Sequence, residues 1–134
     1  MKIVVDTNIL FSFFWRSSLT RKLLLSPFLE LISPSIALAE LKKYSIDIIK
    51  KTKTTKIFFQ KELSNIGSTV SFIDRKEYSA FFKEAEKISP DETDAEFFAL
   101  CLKYKCFLWS NDLTLKNQNK VKVLTTEEII RCLL

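Results

Sequence analysis

The sequence contains no histidine among its 134 residues. It therefore has no Ser-His-Asp triad, no Cys-His pair and no zinc site built on imidazole. Glycine is almost absent as well, since Gly67 is the only one. A dinucleotide-binding G-x-G-x-x-G fingerprint and a G-x-x-x-x-G-K-[ST] phosphate loop are both excluded.

Cysteines are few and long apolar runs are missing. Cys101, Cys106 and Cys132 are odd in number and include no C-x-x-C pair, so we expect neither a disulfide framework nor a zinc or iron–sulfur site. No run approaches the roughly 18 apolar residues of a membrane span. Asp6 stands where a signal peptide would be apolar. We expect a cytoplasmic protein with no membrane contact.

The charges are unevenly distributed. Lys and Arg number 21 against 16 Asp and Glu, a formal net charge of +5, which modestly favours a polyanionic partner. Seven lysines and one acid, Asp47, lie between positions 42 and 61, whereas positions 84–96 hold six acids and one lysine. One surface should be positive and another negative.

Short apolar runs, the first of them a β-branched stretch at residues 2–5, alternate with segments of helical periodicity along the chain. The predicted strands are residues 2–5, 30–33, 69–73, 106–109 and 121–124, with helices between them. Among these helices are 75–88 and 94–105, and a Thr125/Glu128 capping box begins the last one. No linker interrupts the pattern, so we predict one domain over residues 1–134, an α/β fold whose parallel sheet has helices on both faces.

Four carboxylates are expected at one edge of this sheet. Asp6 and Asp112 follow the first and fourth strands, Glu40 lies early in the helix after the second strand, and Asp94 begins a helix antiparallel to the fourth. Ligands of such sheets bind beyond the carboxyl ends of the strands. The four side chains should therefore converge.

Converging carboxylates need a cation. Two unit charges about 4 Å apart repel by about 4 kcal/mol at an effective dielectric constant of 20. An all-oxygen site suits Mg²⁺ or Mn²⁺, and such an ion can activate water against a phosphodiester.

Each acid also has a structural interpretation. Asp6 and Asp112 could be turn residues, Glu40 a solvated helix residue and Asp94 a helix cap. The apolar neighbours of Asp6 favour a functional partner for this acid. Asp74, which also follows a strand, is interpreted as a charged helix start.

Four motifs in chain order resemble those of the PIN-domain nucleases, including stand-alone toxins of the VapC type. They are Val4-Val5-Asp6-Thr7-Asn8, Pro34-Ser35 leading to Ala39-Glu40-Leu41, Thr93-Asp94-Ala95, and Trp109-Ser110-Asn111-Asp112. The resemblance implies a three-layer α/β/α sandwich with a five-stranded parallel sheet in the order 3-2-1-4-5. It also implies Mg²⁺- or Mn²⁺-dependent hydrolysis of RNA.

The resemblance assigns roles to particular residues. Asp6, Glu40 and Asp94 match the acids that bind metal, and Asp112 matches a more variable fourth. Asn8 and Ser110 are expected to orient these ligands, while Asp91 leaves open which acid of the Asp91/Asp94 pair binds directly. The resemblance further implies a possible antitoxin partner and a possible homodimer.

The lysine-rich segment is the predicted RNA-binding surface, through phosphate contacts. Its candidate residues are Lys42, Lys43, Lys50, Lys51 and Lys53, with Arg16, Arg21 and Lys22 as a second set. The alternative is that they form solvated helix faces. Trp15 is a candidate for base stacking, or for a core or dimer contact. A PIN-like domain that binds RNA or protein without cutting remains the alternative function.

Overall fold

A parallel sheet lies at the centre of the protein, which we describe from a computed structural model covering residues 1–15 and 18–133. Its strands are β1 (Lys2–Val5), β2 (Glu30–Pro34), β3 (Val70–Ile73), β4 (Phe107–Trp109) and β5 (Val123–Leu124). They are hydrogen-bonded in the order β3-β2-β1-β4-β5, and every pair is parallel. The predicted topology is therefore confirmed.

Helices connect the strands and cover the sheet. They are α1 (Thr7–Phe11), α2 (Leu19–Leu24), α3 (Ser35–Lys43), α4 (Ser45–Thr52), α5 (Lys56–Thr69), α6 (Arg75–Tyr78), α7 (Phe82–Ile88), α8 (Ala95–Tyr104) and α9 (Thr126–Leu133). Ile3, Val4 and Val5 are each fully buried. Because successive strand residues point to opposite faces, this run of buried residues means that both faces of the sheet are covered.

Side-chain packing joins the first helices to the rest of the core. The Phe14 ring stacks on the Phe59 ring of α5 at 4.9 Å between centroids. Trp109 of β4 is fully buried, and its indole N–H donates to the Thr126 hydroxyl at 3.0 Å. These contacts hold the helices on either side of β1 and β4.

Several local predictions hold, and others are corrected. The capping box is present, because the Glu128 N–H donates to the Thr125 hydroxyl at 3.2 Å and the Thr125 N–H donates to the Glu128 carboxylate at 3.0 Å. The predicted helix 75–88 is instead divided by a 3₁₀ turn at Ser79–Phe81. Tyr78 leaves helical geometry there, its ring is fully buried, and its hydroxyl donates to Glu96 at 2.8 Å.

The lysine-rich stretch around residues 50–55 begins within a helix. Helix α4 continues to Thr52, and Lys53 then adopts the left-handed conformation with a φ of 54°. None of the helices in the described parts of the chain is long and apolar enough to cross a lipid bilayer.

Candidate metal centre

The centre of the site is set by the register between β1 and β4. Val5 pairs with Trp109, so the residues that follow them, Asp6 and Ser110, lie side by side at the carboxyl edge. The Asp6 N–H continues the ladder by donating to the Trp109 carbonyl at 3.0 Å. Asp6 is only 7% exposed and Ser110 is fully buried.

A serine hydroxyl connects two of the predicted acids. Ser110 Oγ donates to Asp6 Oδ2 at 2.7 Å and accepts from the Asp112 backbone N–H at 3.1 Å. Ser110 therefore lies where it can orient the Asp6 carboxylate.

Burial dominates the electrostatics of Asp6. It raises the pKa of this carboxyl, and the charge of Asp112 raises it further. The Ser110 hydrogen bond and the nearby N–H groups of Asn8 and Thr7 act in the opposite direction, although neither N–H forms a regular capping hydrogen bond. Asn8 therefore acts on Asp6 through its backbone, while its side chain is exposed.

Glu40 lies in the second turn of α3 and is partly buried. Burial and then the charge of Asp6 raise its pKa, whereas Lys43 lowers it. The buried Thr7 hydroxyl faces this carboxylate and slightly lowers its pKa, yet it has no partner at regular hydrogen-bond geometry among the described residues. A buried hydroxyl without a partner is costly, so this position favours an additional polar ligand.

Asp94 ends a 3₁₀ turn, Glu92–Asp94, that leads into α8. Burial and the charges of Asp6, Asp91, Asp112 and Glu40, in decreasing order, raise the pKa of Asp94 to about 6. Asp94 therefore lies in the field of the three other acids predicted for the site. The fold brings all four to one edge of the sheet.

Asp112 and Asp91 have structural roles beside any functional one. Asp112 Oδ1 accepts from the Thr114 N–H at 3.1 Å and from its hydroxyl at 2.7 Å. Asp91 accepts in the same way from Thr93, and these bonds lower its pKa. Because Asp91 holds the Thr93 hydroxyl, this residue does not cap α8, and Asp94, the N-cap of α8, forms no side-chain capping hydrogen bond. Asp74 caps α6 through the Lys76 N–H at 3.1 Å, as predicted.

A fifth carboxylate near the site was not predicted. Glu96 raises the pKa of Glu40, accepts the Tyr78 hydroxyl at 2.8 Å and lies 3.8 Å from Arg75. Its position two residues after Asp94, at the start of an apolar helix, was the available signal.

The donor set fits a hydrated divalent cation. No three carboxylate or thiol side chains in residues 1–15 and 18–133 are placed to enclose a metal ion as they stand. Mg²⁺, however, usually takes one or two carboxylates directly and retains several waters. Asp6, Glu40 and Asp94 offer only oxygen ligands. Burial first, and then the charges of neighbouring acids, raises the pKa of all three carboxyls, and a bound cation would compensate for both effects.

The predicted RNA-binding lysines are all exposed and lie on the α3–α4 side of the site. Lys42 and Lys43 lie in the last turn of α3, and Lys50 and Lys51 in the last turn of α4. Cations there also stabilise the helix dipole, which is the structural alternative. Lys43 and Lys51 are nearest to the carboxylates, because Lys43 lowers the pKa of Glu40 and Lys51 shares a cleft with it.

Arg21 and Lys22 of the second basic set have different environments. Arg21 forms a largely buried ion pair with Glu62 at 2.7 Å, lies over the Phe13 ring and donates to the Phe13 carbonyl. It is occupied in joining α2 to α5. Lys22 is exposed on α2, and Arg16 lies outside the described residues.

With this geometry established, comparison with known proteins identifies the class. The family profile of the PIN domain matches residues 4–133. The chain therefore belongs to the PIN-domain family, and the resemblance found in its motifs is confirmed.

One solved structure shares the fold over nearly the whole chain. It is the crystal structure of VapBC2 from Rickettsia felis bound to a DNA fragment from their promoter, with a TM-score of 0.64 and 20% sequence identity. The alignment covers 93% of this chain and 98% of that chain. Among curated protein sequences, none matches significantly.

Proposed function

We propose that this chain is a single nuclease domain over residues 1–134, an Mg²⁺- or Mn²⁺-dependent endoribonuclease acting in the cytoplasm. The observation that carries the proposal is the placement of four acids from separate elements at one edge of the sheet: Ser110 joins Asp6 to the Asp112 backbone, and, after burial, the charges of Asp6, Asp112 and Glu40 act on Asp94. Acids that served only as helix or turn caps would have no reason to lie close enough to influence one another's pKa. Membership of the PIN-domain family supports a nuclease role in general.

The residues have distinct tasks in this proposal. Asp6, Glu40 and Asp94 would hold the cation, with Asp112 as a further ligand. When bound, the ion supplies an activated water and neutralises charge that develops on the phosphodiester. Ser110 fixes the Asp6 carboxylate through the 2.7 Å hydrogen bond. Lys43 and Lys51 favour the approach of a polyanion toward an otherwise acidic edge.

We also propose that the protein is the toxin of a toxin–antitoxin pair. The shared fold with VapBC2, which was solved bound to promoter DNA, supports this assignment. A small antitoxin protein would then be its partner. Exposed apolar side chains such as Phe28, Ile46 and Ile57 offer surface for that partner or for a homodimer.

A PIN-like domain that binds RNA or protein without cutting is the second candidate. The capping bonds of Asp112 and the lack of three preassembled ligands in the described part of the chain favour it. This candidate predicts that divalent ions do not change the state of the RNA.

Cleavage of a labelled mixed RNA pool separates the two candidates. We expect fragments with Mg²⁺ or Mn²⁺, none in EDTA, and none from Asp94→Asn protein. Asp74→Asn, which alters an exposed cap away from the cluster, is the matched control and should cut normally. A DNA pool measured in parallel tests the preference for RNA. Intact RNA under every metal condition would support the non-catalytic candidate.

A further inference from the structure

A cleft of about 420 Å³ adjoins the candidate metal centre between α1 and the α3–α4 segment. Its volume lies in the range of about 300–1,000 Å³ that is usual for small-ligand sites. Asn8 and Glu40 are among its lining residues, and because Glu40 is one of the four acids, the cleft adjoins the proposed catalytic edge.

Three aromatic side chains line this cleft: Phe11, Trp15 and Tyr44. Trp15 is 38% exposed and Tyr44 is 41% exposed. The Phe11 and Tyr44 rings meet edge to face, with centroids 6.3 Å apart and planes at 80°. The walls therefore present aromatic surface to solvent, which suits a flat aromatic ligand.

The charges in and around the cleft restrict its occupant. Glu40 and Asp47 lie in its wall, so a phosphate group inside would be repelled and an N–H donor attracted. Lys51 also lines the cleft, and the Lys43 ammonium lies 5.5 Å from the centre of the Tyr44 ring. These cations disfavour a basic peptide side chain and favour a ligand attached to a polyanionic backbone.

We propose that this cleft binds one unpaired nucleobase of single-stranded RNA, beside the phosphate that is cut, and that Asp47 selects guanine. The proposal rests on the proposed ribonuclease function and assigns its base preference. Asp47 is exposed in the first turn of α4, and its side chain has no hydrogen bond or ion pair with any other described residue. Its two oxygens are therefore available to a ligand.

The choice of guanine follows from the pattern of donors on each base. Guanine presents two neighbouring donors on its Watson–Crick edge, the ring N1–H and the 2-amino group, which match the two acceptors of a carboxylate. Adenine and cytosine each place one amino donor beside a ring acceptor, and uracil places its single N–H between two carbonyls. Only guanine satisfies both oxygens of Asp47.

Tryptophan fluorescence tests the proposal without cleavage. Trp109 is fully buried whereas Trp15 lines the cleft, so quenching by a stacked base reports on Trp15. RNA pentamers that differ only at the central base, guanine, inosine, adenine or uracil in a uridine background, are titrated in EDTA. We expect the guanine pentamer to bind about tenfold more tightly than the inosine pentamer, which lacks the 2-amino donor.

Variants separate recognition from general binding. Asp47→Asn should abolish the guanine preference, whereas Glu86→Gln, an exposed acid on α7, should leave it intact. Tyr44→Leu should weaken every pentamer by about tenfold, because stacking is tolerant of base identity.

Three results would overturn the proposal: no quenching of Trp15 by any pentamer, equal affinity for guanine and inosine, or an unchanged preference in Asp47→Asn. Quenching by an arginine-containing peptide but not by RNA would assign the cleft to a protein instead. The titration needs no metal and no turnover. Guanine-selective binding by a protein that never cuts would refute the catalytic function and leave the base site standing.

Discussion

The Ser110 hydroxyl donates a 2.7 Å hydrogen bond to the Asp6 carboxylate across the boundary between β1 and β4. It is the only side-chain hydrogen bond to Asp6 from the described residues, and it offsets part of the effect of burial. The same hydroxyl accepts from the Asp112 backbone. One buried side chain therefore positions the first acid relative to the fourth.

Replacing Ser110 with alanine should lower the affinity for metal. Ser110→Ala leaves the buried Asp6 carboxylate without its side-chain donor, so its pKa should rise and Mn²⁺ affinity should fall by about tenfold, as for other residues that orient ligands. Ser110→Thr keeps the hydroxyl and serves as the control. Calorimetric titration with Mn²⁺ measures the effect, and equal affinity in Ser110→Ala would contradict the assigned role.

Neutralising an acid of the cluster should abolish cleavage and leave the metal-free fold as stable or more stable. Asp6→Asn and Asp94→Asn each remove one of several repelling charges. Asp112→Asn should impair cleavage less, since part of its carboxylate caps Thr114, and Asp74→Asn should have almost no effect. Cleavage rates at saturating Mn²⁺ test the effect on activity, and melting temperatures in EDTA test the effect on the metal-free fold. Retained cleavage in both Asp6→Asn and Asp94→Asn would refute the site.

The metal-free protein should become less stable relative to Asp94→Asn as the pH rises from about 4 to about 6. Asp94 has a pKa of about 6 in the folded protein against 3.8 as its ordinary value. Between these values the folded state binds the extra proton, so the stabilisation is present at low pH and is lost as Asp94 ionises. Urea unfolding in EDTA measures the free energy of unfolding of both proteins at several pH values. A difference between them that does not change with pH would contradict the prediction.

The Arg21–Glu62 pair should be a stability determinant and not an RNA contact. Both side chains are largely buried, with 17% and 6% of their surface exposed. Removing either one leaves an uncompensated charge, so Arg21→Met or Glu62→Leu should cost about 3 kcal/mol in unfolding free energy. The double substitution should recover much of that loss. A double-mutant cycle by urea unfolding measures the coupling, and additive losses would disprove it.

The lysines should contribute salt-dependent RNA binding without sequence preference. Each phosphate contact on a single strand contributes about 0.7 to the slope of log affinity against log salt. Changing Lys50, Lys51 and Lys53 to Gln should therefore flatten the slope by no more than about 2. Asp94→Asn protein in Ca²⁺ allows binding to be measured without cleavage. An unchanged slope would assign these lysines to solvent and leave Lys22 and Arg16 as the next candidates.

Much of the fold could be predicted because its signals are local. Short apolar runs such as Ile3-Val4-Val5 predicted the strands, and the Thr125/Glu128 box predicted the start of α9. The break at Tyr78 was missed. It depends on the Glu96 carboxylate, which accepts a hydrogen bond from the Tyr78 hydroxyl, and on the burial of the Tyr78 ring, and both require residues that are distant in the chain.

The same division applies to the site. The chain alone determined that several acids would follow strand ends and that no histidine could serve as ligand, because both facts are properties of order and composition. Only the tertiary structure decided that Ser110 would donate a hydrogen bond to Asp6, that Glu96 would raise the pKa of Glu40, and that Arg21 would form an ion pair with Glu62. Those outcomes depend on distances and burial between separate elements, which are set when the elements pack together and which sequence spacing alone does not determine.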